Sequence, residues 1–170
     1  RTQLLMSKFL AGGIYTFLIV LWLGFMAVGI GRYLFGPGDL MVLNSDGLVI
    51  LQEGDIMWRY ICAFCVAFLA LFTISSLSIC LSCFSDNSIG PIVATMAIIL
   101  FFTIINALDV PIFDPIRPLL FTTHMASWRS FFEDPLPWQQ IKQSSLVLIV
   151  HNILFIGISI FTFNRKDITV

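Results

Sequence analysis

The chain has 170 residues, of which 58% are hydrophobic and 11% charged, with a formal net charge of -1 and a mean hydropathy of +0.96. A soluble domain carries about 25% charged residues, so this chain cannot cover a water-facing surface, and a soluble globular protein is excluded. No nucleic-acid partner is expected.

Four stretches contain no Asp, Glu, Lys or Arg: 9–31, 60–85, 87–108 and 143–164. A helix needs about 20 apolar residues at roughly 1.5 Å each to cross a bilayer core, and every stretch qualifies. Barrel strands alternate apolar and polar residues over about ten positions, whereas these runs are continuous and longer. The predicted fold is therefore all-α and integral to the membrane, a single domain over 1–170 with spans at about 9–33, 59–84, 90–108 and 142–164. Because the chain begins at Arg1, further sequence is expected upstream.

After the first span come two short apolar runs, Leu40 to Leu43 and Leu48 to Leu51, around Asn44-Ser45-Asp46-Gly47. An Asp-Gly turn between such runs makes either a hairpin or an ordered loop lying on the bundle. Trp58 and Tyr60 mark re-entry, since amphipathic aromatics settle at headgroup level. The second span is rich in hydroxyls (Thr73, Ser75, Ser76, Ser78, Ser82), which suit helix packing and interhelical hydrogen bonds. A tight link and Gly90-Pro91 then lead into the third span, forming an antiparallel helical hairpin.

The segment 109–142 holds five prolines around a stretch at 119–132 in which Phe121, Met125, Trp128 and Phe132 recur at helical spacing. That spacing predicts a short helix, interfacial or re-entrant, on the outer side. The fourth span ends at Arg165 and Lys166. Four spans place both termini on one face. Arg1, Lys8, Arg165 and Lys166 crowd that face, while Arg32, Arg59, Arg117, Arg129 and Lys142 are spread over two much longer segments. Cytoplasmic loops retain Lys and Arg, so the termini are expected in the cytoplasm and the chain in the cell membrane.

Cys62-x-x-Cys65 and Cys80-x-x-Cys83 have the spacing of a zinc site. On one helix, however, Cys62 and Cys80 lie about 27 Å apart, too far to share an ion, so packed cysteines are expected and no metal. His151 and Asn152 fall inside the fourth span and Asn106 inside the third; such polar groups are expected to make intramembrane contacts with neighbouring helices. His124, the other histidine, is predicted outside, which leaves no opposed pair for a haem. No P-loop, H-E-x-x-H or G-x-S-x-G pattern occurs, so no cofactor and no catalytic residue is expected, and the chain is not expected to be an enzyme by itself.

The order of these parts, the hydroxyl-rich run from Ser75 to Ser88 and the ending Phe161-Thr162-Phe163-Asn164-Arg165-Lys166-Asp167-Ile168 resemble the C-terminal portion of an ABC-2-type transporter permease. The resemblance extends over essentially the whole chain and matches spans three to six of the six that such permeases have. It implies an export subunit that pairs with a second permease half, as a homo- or heterodimer, and with a cytoplasmic ABC ATPase subunit. Phe84, Ser85, Asp86, Asn87 and Ser88 would then be the link that couples to the ATPase, and the Pro-rich segment would match re-entrant outer helices. The rival expectation is a non-transport four-span assembly or anchor subunit.

Overall fold

The computed structural model describes residues 2–44, 47–85, 87, 89–108 and 110–165. Four of its helices are long and apolar enough to cross a membrane: Thr2–Phe35, Glu53–Ser82, Ile89–Ala107 and Trp138–Arg165. The chain is an essentially all-α membrane protein. The first, second and fourth of these helices start before their charge-free stretches, by up to about two turns, because polar residues at their ends continue the helix beyond the apolar core, while Ile89–Ala107 stays within its stretch.

The first span is one rod made of α1 (Thr2–Gly24), a π-helical turn (Phe25–Ile30) and α2 (Gly31–Phe35). Its glycines set how closely it packs on the second span. A Cβ at Gly12 would lie 2.8 Å from Ser75 Oγ, and one at Gly24 would lie 3.3 Å from Phe64. Small residues of this kind let helix backbones approach in lipid. The rod stops at Gly36, whose φ of 76° is a conformation that other residues rarely adopt.

Of the two readings of 40–51, the hairpin is the one formed. Strands β1 (Leu40–Asn44) and β2 (Gly47–Leu51) pair antiparallel, with Leu40 opposite Leu51 and Leu43 opposite Leu48. Helix α3 (Glu53–Ser82) follows at once. Its first turn carries Glu53 and Asp55, which favour the positive end of the helix dipole. Gln52 makes no cap; instead Asp39 Oδ1 accepts from the Glu53 N–H at 3.1 Å. The Arg32–Glu53 ion pair, 2.9 Å long, closes over this corner. Both partners are half exposed, so it adds little stability.

Helix α3 is the centre of the bundle. A third (33%) of its most apolar stretch is buried, against 11% in the first span. It packs on α1, on α4 (Ile89–Ala107) and on α6 (Trp138–Arg165). The core lies along it in three layers. At the end holding both termini, Leu5 and Phe9 of α1 meet Cys83, with Ile156, Ile160 and Phe163 of α6 against them. In the middle, Ala70, Leu77, Phe121 and Leu148 pack with Phe102 and Phe155. At the distal end, Ala63 and Val66 meet Phe131 and Ile141. The start of the first span and the finish of the last thus share one end of the bundle, as four spans require.

The stretch 119–132 does not form the single helix that its apolar spacing predicted. It divides into a 3₁₀ turn (Arg117–Leu119), a four-residue helix α5 (Phe121–His124) and another 3₁₀ stretch (Ser127–Phe132). The buried positions are Leu120, Phe121, His124, Ser127, Ser130 and Phe131, and four of them, Phe121, His124, Ser127 and Ser130, are spaced by three. That is the period of a 3₁₀ helix, three residues per turn. Of the predicted stripe Phe121, Met125, Trp128 and Phe132, only Phe121 is buried, and Trp128 is 37% exposed.

Candidate functional site

Three polar features punctuate the bundle, one in each layer. In the middle, Asn152 on α6 joins the hydroxyls of α3. Its Nδ2 donates to Thr73 Oγ1 at 2.7 Å and to the Leu148 carbonyl at 3.0 Å, while its Oδ1 accepts from Ser76 Oγ at 2.8 Å. Thr73 in turn donates to Leu69 O at 2.8 Å. Every hydrogen on the carboxamide and both hydroxyls is used, and Thr73 and Ser76 are wholly buried. A satisfied network of this kind holds two helices in one register.

The other two predicted intramembrane residues do not join it. His151 Nδ1 lies 2.9 Å from the Val147 carbonyl of its own helix, so Nδ1 carries the hydrogen and the bond is not the interhelical one expected. Its ring packs between Phe121 and Phe155, at centroid distances of 5.7 and 5.9 Å. Asn106 is exposed near the distal end of α4, where Thr123 Oγ1 approaches its Oδ1 at 3.3 Å. The single Thr123 hydrogen is better placed for the Arg117 carbonyl at 2.8 Å, so the Asn106 contact is the weaker of the two.

At the terminal end, Phe84, Ser85 and Asn87 make a compact turn between α3 and α4; Asp86 and Ser88 of the same link lie outside the described residues. Ser85 Oγ accepts from the Asn87 N–H at 3.2 Å and donates to the Asn87 carbonyl at 3.0 Å. Asn87 Oδ1 accepts from the Ile89 N–H at 3.2 Å, which caps α4. A Cβ at Gly90 would meet Ser85 Oγ at 2.9 Å, so a larger residue there would displace that hydroxyl from the turn. Phe84 is 59% exposed. Beside it, Cys83, Phe161, Thr162 and Arg165 border a shallow cavity, with the Arg165 guanidinium 4.2 Å from the Phe161 ring centre.

The distal end holds two residues whose roles the amino-acid sequence did not reveal. Arg59, read there only as a loop cation, is buried to 6% exposure. Its Nη1 donates to the carbonyls of Phe131 (3.2 Å) and Glu133 (2.9 Å), and its guanidinium lies 5.5 Å from the Trp58 ring centre. It ties the Pro-rich segment to α3 through backbone oxygens. His124, predicted outside, is 8% exposed and sits 2.9 Å from both Ser144 Oγ and the Pro118 carbonyl. The carbonyl can only accept, so Nε2 carries the hydrogen, and the Ser144 hydroxyl partners Nδ1. Trp58 and Trp138 stack at 6.2 Å where α3 and α6 begin.

The cysteines are spread along α3, Cys62 bordering the distal layer and Cys83 lying in the terminal one. No cluster of three His, Cys, Asp or Glu residues able to hold a metal occurs among the described residues.

One family model, described as "Protein of unknown function (DUF2705)", matches residues 1–169. No curated protein and no solved structure matches the chain.

Proposed function

We propose that this chain, which belongs to the DUF2705 family, is the permease subunit of an ATP-driven ABC-2-type exporter, moving substrate through a helix bundle powered by a separate ATPase. The observation that supports it most is the run of α3 from one functional end to the other. The helix of 30 residues, about 45 Å long, emerges directly from the link at Phe84 and Ser85. At its far end, Arg59 holds the carbonyls of Phe131 and Glu133. A push on the link is therefore delivered to the distal cap along one unbroken rod. The Asn152 network passes the same displacement to α6.

In this reading the end that carries both termini faces the cytoplasm, and the ATPase contacts the link formed by Phe84, Ser85, Asp86, Asn87 and Ser88. The energy of hydrolysis then reaches the chain by contact, shifting the bundle between two packings. The first span is mostly exposed apolar surface, which leaves room for lipid and a second permease half.

Coexpression with a candidate ABC ATPase subunit tests the proposal. Replacing Ser85, Asp86, Asn87 and Ser88 together with alanine should abolish copurification, or reduce substrate-stimulated ATP hydrolysis at least about tenfold, a loss of roughly 1.4 kcal/mol of coupling. If the bundle still folds and neither quantity moves, the coupling role is wrong and an anchor subunit takes its place.

A further inference from the structure

Between the first turns of α6 and the 3₁₀ stretch of the distal segment lies a half-open cavity of about 240 Å³. Its walls mix polar and apolar atoms and carry no carboxylate, ammonium or guanidinium group. His124, Ser127, Ser130, Gln140, Gln143 and Ser144 contribute, and none of the lining residues is Asp, Glu, Lys or Arg. His124 and Ser144 satisfy each other, and the second ring nitrogen is taken by Pro118. Thr123 donates to the Arg117 carbonyl, and the four remaining polar side chains have no partner among the described residues. Ser127 is 8% exposed, yet its Oγ is buried without a hydrogen-bond partner. Gln140 and Gln143 are exposed at the rim, and among the described residues they and Ser130 make no side-chain hydrogen bond within the protein. A native protein seldom leaves a buried hydroxyl unmatched unless something else fills the site.

We propose that this cavity binds one uncharged polyhydroxyl group, a sugar ring, presented either as a lipid headgroup or as a free saccharide. The neutral lining selects against phosphate, carboxylate or ammonium, because a charge taken out of water needs a counter-charge. Two carboxamides offer paired donors and acceptors, and the serine hydroxyls offer both. Vicinal hydroxyls present the same mixture in return. The volume corresponds to about eight waters at roughly 30 Å³ each, and a ring that replaces several of them keeps their hydrogen bonds. The cavity also lies at headgroup depth: Gln140 is two residues from Trp138, whose stack with Trp58 marks the aromatic belt. The inference is independent of the coupling to an ATPase.

The test uses the full chain in a zwitterionic detergent with no sugar headgroup. Its melting temperature is read with glucosyl-diacylglycerol, with methyl glucoside and with phosphatidylglycerol. Glucosyl-diacylglycerol should raise it by about 3–6 °C, and phosphatidylglycerol should give no comparable shift. A parallel rise with methyl glucoside assigns a free saccharide; a rise with the glycolipid alone assigns a headgroup. The double variant Ser130→Ala/Gln143→Leu should lose the shift. No shift with either sugar probe, an equal shift with phosphatidylglycerol, or a full shift retained in the double variant overturns the proposal and leaves a water-filled cavity. Should that variant fail to fold, the maleimide labelling rate of Gln143→Cys, in a background lacking the native cysteines, reads occupancy directly. The sugar probe that binds should slow labelling several-fold, and an unchanged rate overturns the proposal.

Discussion

Asn152 and His151 are neighbours in the chain and equally conspicuous inside a span, yet they do different work. Asn152 faces α3 and carries both interhelical hydrogen bonds, to Thr73 and Ser76. His151 turns back to Val147 on its own helix. Such bonds average about 0.6 kcal/mol in membrane proteins and reach about 1.7. Asn152→Leu should therefore destabilise the bundle by about 1–3 kcal/mol in denaturant titrations. His151→Phe, which keeps the ring contacts, should change it by less than about 1 kcal/mol; equal effects would show that the network does not hold the helices together. Polar residues inside the spans were legible as candidates, but their partners were not. A one-residue step on a helix turns the side chain by about 100°, and nothing local says which of two adjacent residues faces the neighbouring helix.

At the scale of elements, the four long helices could be read directly, because lipid imposes length and the absence of charge on each of them. The Asp-Gly turn left a hairpin and an ordered loop open, and only the pairing of β1 with β2 decides for the hairpin. The distal segment was misread for a specific reason: Phe121, Met125, Trp128 and Phe132 fit a period of 3.6, while the prolines and the anchor at Arg59 impose turns of period three. Arg59 itself was hidden because it stands between Trp58 and Tyr60, where a headgroup-facing arginine is the ordinary reading. Arg59→Met preserves the aliphatic stem and removes the tie to Phe131 and Glu133. It should expose 127–137 to added protease and cost about 1–3 kcal/mol. Cleavage no faster than in the parent would mean that apolar packing alone holds the cap. Inserting one alanine after Met125 should rotate Ser127 and the later positions by about 120° and release the segment, whereas inserting three should keep the buried face. Equal protease sensitivity of the two insertions would refute the period-three account.

For the molecule as a whole, the common end of Leu5, Cys83 and Phe163 makes orientation a single question with two answers. In cells, Ser85→Cys in a background lacking the native cysteines should resist an impermeant maleimide, while Gly38→Cys should label. The reverse pattern would put the link outside and end the coupling proposal. The Asn152 network also has a bearing on how the chain is made. Thr73 and Ser76 enter the bilayer 79 and 76 residues ahead of the carboxamide that later joins them. During that interval the Thr73 hydroxyl is not bare, because its hydrogen already points to Leu69 one turn back. The central helix can thus wait in lipid with its polar face partly shielded while α4, the distal segment and α6 are still being synthesised. Arrival of the last span then completes the network, so assembly of the bundle is timed by the C-terminal helix, and ribosome-bound intermediates lacking it should remain loosely associated spans.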